Sequence, residues 1–204
     1  AAAAAPAAAP AAAADSGGQG HGGGSPAAAG GGTLSFDLVL TDLDKAEQLA
    51  YGSVFAGFGP SATGGVGVDS APLRDYVATN SGLPYEEVES ELLKAASVND
   101  DFQLRLADFL KVLRENALQE GRILESFLAL AGEGGEPMNA ADCRTGLFMV
   151  KDELGPVAES VGARWDAVFD AVMGAAGATV NMESWTSYCK QVARVARVTH
   201  ASKL

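Results

Sequence analysis

The stretch Trp165-Asp-Ala-Val168-Phe169-Asp-Ala-Val172-Met173-Gly174-Ala-Ala-Gly177-Ala-Thr-Val180-Asn181-Met-Glu-Ser184-Trp185-Thr-Ser-Tyr188-Cys189-Lys-Gln-Val192 decides the fold. Trp165, Val168, Phe169 and Val172 recur at helical spacing and define one apolar face. The Gly/Ala-rich run from Gly174 breaks that period and carries one apolar residue, Val180, near its end. Asn181 is a good N-cap, because its side chain can accept from an orphan amide of the next helix. Trp185, Tyr188, Cys189 and Val192 then resume an apolar face. The unit is helix, loop with one apolar residue, helix.

The same order of faces recurs three times upstream. Ile123, Leu124, Phe127 and Leu130 lead into the loop Ala131 to Met138, Asn139 caps the exit, and Cys143, Leu147 and Val150 follow. Val88, Leu92 and Leu93 lead through Ser97 to Leu104 into Phe109, Val112 and Leu113. Tyr51, Val54, Phe55 and Phe58 lead through Gly59 to Pro72 into Leu73, Tyr76 and Val77. Pro84 suits the start of a helix, with Glu86 and Glu87 at its positive end. The in-loop residues Leu104, Met138 and Val180 are 34 and 42 positions apart, and Val66 or Val68 lies 38 or 36 before Leu104.

One such unit cannot bury its apolar face alone. Pairing predicts a short ladder of Leu104 with Val66 or Val68, and of Met138 with Val180. The predicted fold is therefore all-α, with four helix–loop–helix units in two lobes, residues 45–116 and 117–198, and short β-ladders between paired loops. A generic helical bundle with apolar residues in its loops is the alternative. Residues 114–122, polar with one Gly, read as a hinge. Residues 33–40 alternate apolar and polar like a strand, so 33–44 reads as an extended segment lying on its own domain, with a partner's surface as the alternative. Thr41 with Asp44 reads as a capping box at its end.

Over residues 45–198 this pattern resembles the calmodulin superfamily of EF-hand proteins, which includes myosin light chains and centrins. The resemblance implies two lobes, each able to clasp a basic amphipathic helix. The family's calcium loop sets oxygen ligands at loop positions 1, 3, 5, 9 and 12 and Gly at position 6. Laid on this chain, the fourth loop offers Met173, Ala175, Gly177, Asn181 and Ser184, with no carboxylate. The third offers Ala131, Glu133, Gly135, Asn139 and Asp142, with Glu136 where Gly belongs. The second offers Ser97, Asn99, Asp101, Arg105 and Asp108, with a cation among the ligands and Phe102 in place of Gly. The first has only Asp69. Calcium needs six to eight oxygens, so no metal or other cofactor is expected; Asn99, Asp101 and Asp108 are the best weak candidates.

Composition narrows the function further. The 204 residues carry a formal net charge of −12, which disfavours nucleic acid and anionic lipid and favours a basic protein partner. No apolar run approaches the ~20 residues needed to cross a bilayer. Residues 1–32, of Ala, Gly, Pro, Ser, Asp, Gln and His only, read as a disordered tail. The two histidines, His21 and His200, fall in the tail and near the C-terminus, leaving no imidazole for a base or metal centre. Cys143 and Cys189 match no zinc or redox spacing. Gly132-Glu-Gly-Gly135 and Gly57-Phe-Gly-Pro60 lack the Lys and Ser/Thr of a phosphate loop. An enzyme is not expected.

The expected function is a calcium-independent, light-chain-like adaptor, its grooves lined by Phe109, Val112, Phe127, Phe148, Met149, Trp165, Phe169 and Trp185. A structural subunit of a large assembly and a weak residual calcium sensor are the alternatives. Ser202-Lys203-Leu204, in a tail of residues 199–204, is a peroxisomal address when it ends a chain. It implies a peroxisome or glycosome and an import receptor, with cytoplasm or cytoskeleton as the alternative location.

Overall fold

A computed structural model describes residues 34–131, 136–174 and 179–203. The tail 1–32, the loop positions 133, 135, 175 and 177, and Leu204 lie outside the described residues. The elements run α1 (Phe36–Thr41), α2 (Leu43–Gly57), β1 (Val66–Gly67), α3 (Ala71–Asn80), α4 (Tyr85–Ala96), β2 (Gln103–Leu104), α5 (Leu106–Glu115), α6 (Glu120–Ala131), α7 (Ala140–Glu153), α8 (Pro156–Glu159), a 3-10 turn (Gly162–Arg164), α9 (Trp165–Met173) and α10 (Met182–Ala201).

The helix boundaries follow local chemistry. Asn139 Oδ1 accepts from the amides of Ala141 and Asp142 at the start of α7, and Asn181 Oδ1 accepts from Ser184 N at the start of α10. Glu86 and Glu87 occupy the first turn of α4, where the helix dipole favours them. Gly155 (φ 51°) and Gly174 (φ 52°) stop α7 and α9 in a conformation that Gly adopts without a Cβ penalty.

The loops pair as the spacing predicts. β1 and β2 are antiparallel with Val66 opposite Leu104, and Met138 exchanges both backbone hydrogen bonds with Val180 at 2.9 Å. All four of these residues are buried.

Three expectations are corrected. Residues 36–41 are helical, and the extended reading of 33–44 fails. Phe36, Leu38, Val39 and Leu40 pack into the core through a helical turn, with Val39 deepest. Alternation over so short a run does not separate a strand from one turn of helix. The cap of α2 is Asp42, which accepts from Lys45 N, while Thr41 Oγ1 donates back to Asp37 O. The hinge is also absent: Ala117 and Leu118 are buried, Gly82 N donates to Asn116 O, and Arg197 Nε donates to Ala117 O.

Residues Thr33–Leu204 are one compact unit with a continuous apolar core, so the two predicted lobes are not separate bodies. The reason is α10. After Val192 it is buried almost all round, at Ala193, Val195, Ala196, Arg197, Val198, Thr199 and Ala201. A helix buried on nearly every side must be enclosed by other elements, and α10 packs on α2 and α5 of the first half as well as α6, α7, α8 and α9 of the second. Polar bonds reinforce the join. Glu47 on α2, only 2% exposed, accepts from Arg114 on α5 and from Arg194 on α10.

Candidate functional site

The first loop pair is the most elaborately bonded surface feature. Its centre is the Arg105 guanidinium. Nη2 donates to Asp101 Oδ2 at 2.7 Å within the second loop, and Nη1 donates to Thr63 O at 3.1 Å across the pair. Ser61 Oγ donates to Gln103 Oε1 at 2.6 Å, a second link between the loops. Desolvation pushes the Asp101 carboxyl up, but the Gln103 amide and the Arg105 guanidinium outweigh it and hold the carboxyl below its ordinary value.

The candidate ligands of the second loop are committed to this network. Asn99 Nδ2 donates to Asp108 Oδ2 at 2.8 Å and to Gln103 O at 2.8 Å. Asp108 Oδ2 also accepts from Arg105 N, closing the first turn of α5. Asp101 serves Arg105. Phe102, at the position where the resemblance expects Gly, has φ 53°, so the chain makes that sharp turn without the residue that suits it best. A guanidinium thus supplies the positive charge that ties carboxylate and carbonyl oxygens of the two loops together.

The predicted groove is mostly closed. Phe109, Val112, Phe127, Trp165, Phe169 and Trp185 are buried and cannot line an open groove in this conformation. Phe109 is the hub of an aromatic cluster with Tyr51, Phe55, Phe58 and Tyr76 at centroid distances of 5.5–6.2 Å. Trp185 Nε1 donates to Ile123 O and to Ser126 Oγ, bonds that fix it in the core. Only Phe148 and Met149 stay accessible, each 43% exposed. Helical periodicity finds apolar faces but does not say whether a face meets a partner or its own neighbour.

Met149 lies in a feature that the sequence did not reveal, a 240 Å³ cleft between α6 and α7. Leu118, Ala129, Met149 and Val150 supply its apolar wall, and Arg122, Glu125 and Glu153 its charged rim. Arg122 pairs with Glu125 at 3.0 Å and Glu153 at 3.6 Å. Phe148 lies elsewhere, edge-on to Phe169 with centroids 4.9 Å apart.

Near the C-terminus, His200 Nδ1 is hydrogen-bonded to Ser160 Oγ at 2.8 Å, Lys203 Nζ donates to Ser160 O at 2.6 Å, and Ser202 Oγ donates to Thr199 O. His200 and Lys203 are thus docked on Ser160 and Ser202 on its own helix, so residues 199–203 do not form a free tail. Both cysteines are buried, and desolvation pushes the Cys189 thiol far up despite a bond to Ser126 that lowers it. Among the described residues no helix is long and apolar enough to cross a membrane, and no cluster of three or more His, Cys, Asp or Glu is placed to hold a metal.

Compared with protein-family models, with curated proteins and with solved structures, the chain matches none.

Proposed function

We propose that this chain is a calcium-independent adaptor of EF-hand-like design, whose paired loops are held by protein groups in place of a metal. The observation that carries the reading is Arg105 between the loops, bonded to Asp101 and Thr63 where the resemblance puts a ligand oxygen. The positive φ of Phe102 at the Gly position and the pairing of Val66 with Leu104 support the same design. A loop already closed needs no ion to set its shape.

The partner is a basic amphipathic helix. It docks an apolar anchor side chain in the cleft between α6 and α7, against Ala129 and Met149, and brings Lys or Arg to Glu125 and Glu153. This replaces the buried grooves as the binding surface. A synthetic amphipathic Leu/Lys helix, labelled for fluorescence anisotropy, tests it. Binding should be equal in EGTA and in calcium, weaken with salt, and be lost in Met149→Glu. Absence of binding, a requirement for calcium, or an unaffected Met149→Glu would refute the proposal.

The closed core favours one other reading, a subunit built into a larger assembly through its outer faces. In that case the purified chain self-associates or precipitates instead of remaining a monodisperse monomer. The peroxisomal or glycosomal address stays part of the proposal for a chain ending at Leu204; a receptor would have to free Lys203 from Ser160 to read it.

A further inference from the structure

Arg197 is anomalous. It lies on α10 in the core, 8% exposed, and its one hydrogen bond among the described residues is from Nε to Ala117 O at 2.9 Å. No carboxylate pairs with it among the described residues, whereas its neighbour Arg194 is paired with both Asp44 and Glu47. A guanidinium has five N–H donors, and its terminal nitrogens, which are not fully buried, have no acceptor among the described residues. An uncompensated buried cation is costly to keep. The Tyr76 hydroxyl is itself buried with no partner among the described residues.

Arg197 does not face a sealed interior. It lines a recess of 320 Å³ with Ser81, Gly82, Gln119, Arg122 and Glu153. The recess borders the N-terminus of α6, where Arg122 N and Ile123 N donate to Gln119 O and the amides of Glu120 and Gly121 precede them. Ser81 Oγ accepts from Leu83 N and has its own proton to give. Leu83 and Leu118 add a small apolar part to a mostly polar lining.

We propose that this recess binds a small organic carboxylate, held bidentate by the Arg197 guanidinium with Ser81 and the start of α6 around it. Charge selects the class. Arg122 is paired with Glu125 and Glu153, so Arg197 is the lining cation with no carboxylate partner among the described residues, and Glu153 beside it disfavours a dianionic phosphate more than a monoanion. A planar guanidinium matches a planar carboxylate through two parallel N–H···O bonds. Leu83 and Leu118 leave apolar contact for a short organic tail only. The carboxylate is that of a free metabolite or of a peptide C-terminus. The recess shares Leu118, Arg122 and Glu153 with the cleft between α6 and α7 but is argued independently of partner docking.

The test is titration of the full chain with acetate, butyrate and inorganic phosphate at matched ionic strength, followed by ¹H–¹⁵N NMR at the Arg197 Nε–H and the amides of Gly82 and Gln119. A short peptide with a free or an amidated C-terminus forms a second arm. The expected result is saturable shifts with butyrate above acetate above phosphate, lost in Arg197→Met and reduced less than threefold in Arg122→Gln. Preference for the free-acid peptide over butyrate would place the carboxylate on a protein; a preference for butyrate would place it on a metabolite. Ser81→Asp, which tethers a carboxylate in the recess, should raise Tm and abolish butyrate binding, and it serves if Arg197→Met does not fold. Shifts that do not saturate, that persist in Arg197→Met, that favour phosphate, or that survive Ser81→Asp would overturn the assignment.

Discussion

Replacing Glu47 by alanine tests whether the two halves of this protein form one cooperative body. The carboxylate is buried and accepts from Arg114 Nε, from Arg194 Nε at 2.8 Å and from Arg194 Nη2 at 3.0 Å. Breaking a buried ion pair by removing one partner costs about 3–5 kcal/mol. Two features lower that figure here. The arginine side chains are a third and a fifth exposed, and both keep Asp44, at 3.0 and 2.7 Å. A loss of about 2–3 kcal/mol follows, roughly 5–10 °C in Tm for a unit of this size. The assay is thermal and urea unfolding followed by far-UV circular dichroism and by tryptophan fluorescence. Trp165 and Trp185 both lie in the second half, whereas Glu47 lies in the first. Both probes should shift together, because α10 joins the halves. Asp44→Ala is the control: Asp44 is two-thirds exposed, and its loss should cost below about 1 kcal/mol. A Glu47→Ala protein whose fluorescence midpoint is unchanged while the circular dichroism transition splits would refute the single-body reasoning.

Arg105→Ala should lower stability by about 0.5–1 kcal/mol, since the pair is partly exposed, and calcium should not restore the lost Tm; recovery of Tm in calcium would contradict the metal-free reading. Gly146→Ala should destabilise the core by about 1 kcal/mol despite the better helix propensity of Ala, because a Cβ there would meet the Leu130 side chain and lie 2.6 Å from Trp185 Cη2; a higher Tm would show that these side chains yield easily. Asp101 has a lowered folded-state pKa, so its contribution is present above the ordinary carboxylate value of about 3.9 and is lost as pH falls through the lower folded value. Asp101→Asn should therefore remove part of the acid sensitivity of stability below pH ~4, and identical acid titrations of the two proteins would count against the loop network. Cys189 should resist iodoacetamide at pH 8 until the chain unfolds, since burial keeps its thiol protonated; rapid labelling of the folded protein would contradict its placement.

Local chemistry was legible wherever one residue suffices to define it. Asn139 and Asn181 read as caps and are caps, and the in-loop residues of the later units pair as their spacing implied. The misreadings share a cause. Leu34 to Leu40 fits period two as well as one helical turn, and residues 114–122 are polar by composition while Ala117 and Leu118 among them are buried. For the candidate sites, Arg105 was visible as a cation at a ligand position. Its bond to Thr63, 42 residues away, was not. Nothing in the sequence showed that Arg197 would be buried, since it is one of several arginines on a helix.

The sequence by itself determined most of the helices after residue 45, the Asn139 and Asn181 caps, the apolar residue in each loop and the poverty of calcium ligands, because those depend on neighbours a few positions apart. Only the tertiary structure decided which apolar faces were spent on the protein's own core, that α10 joins the two halves, and that Arg197 is buried without a charged partner. Those outcomes depend on which surfaces compete for α10, and burial and desolvation are properties of the whole packed unit rather than of any one segment.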